Sequence, residues 1–274
     1  MSAAPAASPA AWAEVPPAPP WWRVLASRIL TFWQIELWRI KHDRTELYTR
    51  AIQPALWLLI FGETFTRLRA IPTGNVPYLD YMTPGIIAQS GLFIAIFYGI
   101  QIVWERDAGM LNKLMATPTP RVALVSGKAF AAGLRSATQA LVVFALAAVL
   151  RVGLNWNPMN LLAAVVVVMV GSAFFSTLSM TIAGIVLSRD RLMGIGQAIT
   201  MPLFFASNAL YPVHLMPGWL QWLSTINPLS YEVDALRGLL IGTPSHVLLD
   251  FGVLVVALVA GVTASSKLLP RLAR

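Results

Sequence analysis

A chain of 274 residues that is 57% hydrophobic and only 12% charged carries more apolar side chain than a soluble core needs. Its apolar runs reach the roughly 18 residues that mark a membrane-crossing helix. The formal charge of +8 does not point to nucleic acid, because the basic residues gather at the ends of apolar runs and form no basic face interleaved with aromatics; with no cysteine, disulfides and thiolate metal sites are excluded as well.

Residues 1–20 hold eight Ala and six Pro with no Lys or Arg ahead of an apolar core, so they fit neither a signal peptide nor a packed element and predict a disordered tail. From 21 to 46, Trp22, Leu25, Ile29, Phe32, Trp33, Leu37 and Ile40 recur at helical spacing with polar residues opposite, which predicts an amphipathic helix lying in the membrane interface. Trp33 and Trp38 suit that depth, because indole favours the headgroup boundary. Glu36 falls on the apolar face, where it either meets a polar partner or reaches up to water.

Residues 47–274 read as one transmembrane domain of six spans, at about 51–67, 82–104, 122–150, 161–187, 194–212 and 246–266. The third is longer than a hydrocarbon layer of about 30 Å requires, so its first turns are expected to project from the membrane near Lys128. Between the fifth and sixth spans, Pro212, Pro217, Pro228 and Pro244 break the chain, and two short apolar helices that dip in and return fit the pattern. The expected fold is thus all-α: six transmembrane helices, an N-terminal interfacial helix and a re-entrant segment before the last span.

Placing the N-terminus in the cytoplasm puts fifteen Lys and Arg inside and four outside, with Arg135 within a span. By the positive-inside rule both termini and the charged loop 105–121 are then cytoplasmic. That loop, Glu105-Arg106-Asp107-Ala108-Gly109-Met110-Leu111 ending in Ala116-Thr117-Pro118-Thr119-Pro120-Arg121, is a compact hinge between two apolar segments. Met110, Leu111, Leu114 and Met115 supply one apolar face of a short helix that Pro118 and Pro120 terminate.

This loop, the Gly127-Lys128 that follows, and the late run Asn227-Pro228-Leu229-Ser230-Tyr231 leading to Asp234-Ala235-Leu236-Arg237 resemble the ABC-2 type permeases, the membrane subunits of ATP-binding-cassette exporters. The resemblance spans residues 20–266. With Leu215-Met216-Pro217-Gly218-Trp219-Leu220 ahead of it, the late run is more similar to the drug-exporter branch than to the polysaccharide branch. The resemblance implies export of an amphiphilic drug-like, lipid, glycolipid or polysaccharide substrate from the bacterial inner membrane, by two permease copies and two copies of a nucleotide-binding subunit. It implies that Glu105, Arg106, Gly109, Leu111, Lys113, Leu114 and Arg121 contact that subunit, and that the interfacial helix, with Trp33, Glu36 and Trp38, receives its motion. No Gly-x-x-x-x-Gly-Lys-Ser/Thr loop occurs in the sequence, so ATP and Mg are assigned to the partner and this chain is expected to be neither an enzyme by itself nor a cofactor binder.

The pathway is less legible. Arg135, about 10 Å of helix beyond Lys128, either lines a cavity, holds its span against another or snorkels to the interface. Glu63 is an outer gate or an interface residue. In the late segment Ser230 is placed to cap a helix after Pro228, Glu232 to sit in its first turn, and Asp234 to pair with Arg237 three residues on; Trp219 and Trp222 share a face, and with Tyr231 these residues either close the exit, as the resemblance implies for such re-entrant helices, or only anchor the fold. A membrane-embedded enzyme is disfavoured because His42, His214 and His246 are dispersed. An ion-coupled secondary transporter, the alternative reading, lacks acidic residues at mid-span in repeated halves.

Overall fold

The computed structural model describes residues 20–42, 44–68, 71–74, 76–117 and 119–272. Most of the predicted tail lies outside them, as does Pro118. Among the described residues the chain is helical, without a strand. In order come α1 (Trp21–His42), α2 (Arg44–Leu56), a π-helical turn (Trp57–Gly62), α3 (Glu63–Leu68), α4 (Tyr78–Asp107), α5 (Met110–Met115), α6 (Arg121–Val149), α7 (Pro158–Val186), α8 (Arg189–Phe205), a 3-10 turn (Val213–Leu215), α9 (Gly218–Ile226), α10 (Pro228–Ile241) and α11 (Val247–Leu272).

Among the described residues, four helices are long and apolar enough to cross a membrane: α4, α6, α7 and α11. They coincide with the second, third, fourth and sixth predicted spans. The other two predicted spans take a different form. The first is divided among α2, the π-helical turn and α3, and the fifth is α8, whose 17 residues reach only about 26 Å at 1.5 Å per residue. In both, a proline interrupts the helix, Pro54 in α2 and Pro202 in α8.

Pro54 has a specific consequence. A proline has no N–H to offer the carbonyl four residues back, here that of Arg50. Gln139 of α6 fills the gap, donating its Nε2 to the Arg50 carbonyl at 3.2 Å, so the defect in one helix becomes a contact to another.

The core is centred on α7, which packs on α4, α6, α10 and α11. Its uniform apolarity explains this position, since a helix hydrophobic all round must be enclosed by protein or lipid. Ser179 of α7 donates to the Ile96 carbonyl of α4 at 2.7 Å. Asn157 caps α7 by accepting from Met159 N at 3.0 Å, with Pro158 at the first helical position.

The bundle has two chemically distinct ends. At one, the 150–157 connection is tied down by Gly153 N donating to Asp80 of α4 at 3.0 Å and Asn155 N donating to the Leu240 carbonyl of α10 at 2.6 Å. At the other, the end of α4, α5 and the starts of α6 and α8 come together with the basic residues Arg106, Lys113, Arg121, Lys128 and Arg189.

Candidate functional site: the charged elbow and the helix that braces it

The elbow 105–121 is built by three local features. Ala108 and Gly109 close α4, with Gly109 at φ 70°, a left-handed conformation that favours glycine. The short helix α5 follows, and Pro120 precedes α6 as its N-cap in an extended conformation. Three contacts then fix the elbow to the bundle. Glu105 forms an ion pair with Lys128, both largely buried. Arg106 donates through Nη1 to the Leu187 carbonyl at 2.8 Å, satisfying an orphan carbonyl at the end of α7, and through Nε and Nη2 to Asp107. Leu111 is fully buried in the core.

The predicted contact set therefore separates into two. Glu105 pairs with Lys128 and Leu111 is buried, so in this chain both hold the elbow to the bundle. The reason is register: Leu111 faces its own bundle. Leu114 is half-buried and packs against the core, while Lys113 and Arg121 are exposed and Gly109 supplies only the turn. Met110, at 48% exposed, is the apolar residue of α5 that the chain leaves uncovered. Arg189, at the start of α8, stacks over the Trp104 ring with 4.8 Å between guanidinium and centroid.

Helix α1 lies against α6. Its Phe32 ring covers Gly127, where no side-chain carbon could be added without displacing the ring. Four residues on, Glu36 is 1% exposed, binds Arg135 as an ion pair and accepts from the Tyr98 hydroxyl at 3.0 Å. Tyr98 also presents its ring to the Arg135 guanidinium at 5.2 Å. Of the two readings for Glu36, the polar partner is the one the structure displays. Of those for Arg135, it displays a contact holding two helices together. Trp33 is half-buried and Trp38 is 70% exposed, stacked on His42. Tyr98 was invisible to sequence reasoning, being one aromatic in an apolar run.

At the opposite end, Arg237 is 4% exposed and its guanidinium is taken up by the chain. It lies over Tyr81 at 3.7 Å and donates to the carbonyls of Tyr81, Asn208 and Ala209. Asp234 stands 3.9 Å away and accepts from Asn208. The predicted Asp234 and Arg237 pairing is present, inside a hub joining α4, the 206–209 turn and α10.

Two details depart from expectation. The cap of α10 is Asn227, accepting from Leu229 N at 3.0 Å, because Pro228 already occupies the first helical position; Ser230 instead bonds Ser224 at 3.0 Å. Glu232 consequently falls in the second turn, fully buried against Gly171, with neither carboxyl oxygen bonded among the described residues. Trp219 and Trp222 are 69% and 66% exposed on one face of α9. Tyr231 donates to the Thr225 carbonyl at 2.7 Å, and Glu63 reaches Arg67 at 3.8 Å on an exposed surface, a contact worth little. These residues do not converge with the elbow. Among the described residues no cluster of His, Cys, Asp or Glu is placed to hold a metal.

The geometry is that of a membrane bundle with a braced, charged elbow at one end, and comparison with known proteins agrees. A putative transport permease, ycf38, from Porphyra purpurea is 31% identical over 210 residues, covering 74% of this chain and 69% of that protein. The daunorubicin resistance ABC transporter permease protein DrrB1 of Streptomyces coeruleorubidus is 25% identical, covering 76% and 74%. The probable doxorubicin resistance permease protein DrrC of Mycobacterium tuberculosis is 24% identical, covering 80% and 76%. Residues 27–241 match the ABC-2 type transporter family, from within α1 to the end of α10, and the chain belongs to that family.

Proposed function

We propose that this chain is the permease half of an ATP-driven exporter, assembling as two copies with two copies of a separate nucleotide-binding subunit that binds ATP and Mg. The observation that carries the reading is the elbow. A six-residue helix is braced from behind by a buried ion pair, a capped helix end and a buried leucine; it turns Met110 and Lys113 outward, and Arg121 is exposed where α6 begins. A rigid mount with an exposed charged face suits a surface that must transmit force, because a loosely held loop would absorb the displacement. The contact set is accordingly Met110, Lys113 and Arg121 at the surface, with Glu105, Arg106, Gly109, Leu111 and Leu114 holding them in place.

The elbow faces the cytoplasm in this reading, as do both termini, in the inner membrane of a bacterium. The split segment 44–68 and α8 complete six spans, the latter extended by the 206–212 turn, and α9 with α10 form the re-entrant segment. The domain division is a tail to residue 20, the interfacial helix to 46 and one transmembrane domain beyond. The substrate is an amphiphile, on the side of the drug-exporter branch that the daunorubicin and doxorubicin relatives represent. Arg237, Asp234 and Tyr231 hold the exit-side hub in place, and Trp219 with Trp222 meets the outer headgroups.

The test replaces exposed charges and spares the brace. Lys113→Glu with Arg121→Glu should leave membrane insertion intact and reduce co-purification of the ATPase subunit at least tenfold, because reversing charges at a desolvated contact costs on the order of 2–5 kcal/mol. Unchanged assembly, hydrolysis and transport in reconstituted vesicles would show that the elbow is not the contact.

A further inference from the structure

Helix α1 touches α6 at Phe32 and Glu36 but stands away from α5, leaving a cavity of about 230 Å³ between them. Its apolar walls are Ile35 of α1, Leu114 of α5 and Leu124 of α6. Its charged groups are Arg28, Arg39, Lys128, Glu36 and Glu105.

Those charges do not cancel. Glu105 is held by Lys128, and Glu36 by Arg135 and the Tyr98 hydroxyl. Arg28 and Arg39 have no carboxylate within ion-pair distance among the described residues. A cation entering here finds each carboxylate occupied, whereas an anion meets two unmatched guanidinium groups, the side chain best suited to phosphate oxygens. Thr31, Thr117 and Thr119 also line the cavity, the Thr31 and Thr117 hydroxyls donating to the Ser27 and Leu114 carbonyls.

Spacing narrows the ligand. Arg28, Thr31, Ile35 and Arg39 occupy one stripe of α1, and the two arginines are about 16 Å apart along its axis. One phosphate bridges them only with both side chains fully stretched, whereas two phosphates joined by a short polar linker place one at each. The surroundings supply the amphiphile's other half, since Ile35 and Trp38 along the stripe and Met110 at the cavity are apolar and exposed. We propose that this cavity binds a diphosphatidylglycerol-type lipid, its two phosphodiesters on Arg28 and Arg39 and its chains along α1, in the manner of basic pockets at the edge of helix bundles. The lipid then acts as a third brace, joining α1 to the elbow where the protein itself leaves a gap.

The experiment uses the full chain in neutral detergent and needs no ATPase partner. Lipid retention by native mass spectrometry and the thermal midpoint are measured with cardiolipin, phosphatidylglycerol at matched total charge, phosphatidylcholine and inorganic phosphate. Cardiolipin should raise the midpoint more than matched phosphatidylglycerol, with phosphatidylcholine and phosphate inert. Arg28→Gln with Arg39→Gln should lower apparent cardiolipin affinity at least tenfold, and the charge-matched control Lys267→Gln with Arg271→Gln should not. Equal effects of cardiolipin and either phosphatidylglycerol or inorganic phosphate would overturn the two-phosphate lipid. Undiminished retention by the Arg28/Arg39 variant would overturn the site itself.

Discussion

A carboxylate that is 1% exposed within an apolar bundle survives only with partners supplied by the fold, and Glu36 has two, Arg135 and Tyr98. Removing one member of such a pair leaves its partner's charge buried without compensation, which typically costs about 3–5 kcal/mol. Glu36→Gln should therefore destabilise the purified chain by that order in thermal or denaturant unfolding. The double variant Glu36→Gln, Arg135→Gln should recover part of the loss, as coupled neighbours do. A single variant as stable as the parent would show that the pair contributes nothing. The anomaly was legible in the sequence, where Glu36 breaks an apolar face; its partners were not, because Tyr98 and Arg135 lie 62 and 99 residues away and a helical pattern carries no register between helices. The reverse holds for Asn227. Asn followed by Pro is a local start signal for a helix, so the cap of α10 is legible at Asn227 and not at Ser230.

At the scale of elements, the split in the first predicted span follows from one residue that lacks an N–H. Pro54 opens the Arg50 carbonyl, and Gln139 closes it from α6. Gln139→Leu should cost about 0.5–1.5 kcal/mol, the net worth of one hydrogen bond, in unfolding of the full chain. Pro54→Ala restores a donor within α2, so Gln139→Leu should cost measurably less in that background. Equal costs in both backgrounds would mean that Gln139 serves some other contact. Long uniform helices such as α4, α7 and α11 were readable to within a few residues, since their apolarity is a property of the segment alone. The π-helical turn and the early end of α8 were not, because hydropathy continues past the point where a proline and the turn at Ser207 and Asn208 redirect the backbone. The elbow was legible as a charged hinge with a short helix, but which of its faces would be buried depended on packing that no local pattern records.

For the whole molecule, the placement of charge connects fold to role. Basic residues converge at the end where α4 stops and α6 and α8 begin, and the ion pairs Glu105 with Lys128 and Glu36 with Arg135 fasten the elbow and α1 to the same helix, α6. The elbow and α1 therefore share α6 as their common anchor. Membership of the ABC-2 type family was legible from ordered motifs, while the transported molecule was not, since no motif in the sequence reads its chemistry. The claim that motion is supplied by a separate ATPase is tested most directly in vesicles holding this chain with and without its nucleotide-binding subunit, loaded with a fluorescent amphiphile such as daunorubicin. Transport is expected only with the subunit present and ATP on the elbow side, with none driven by an ion or proton gradient. Gradient-driven transport by the chain alone would contradict it.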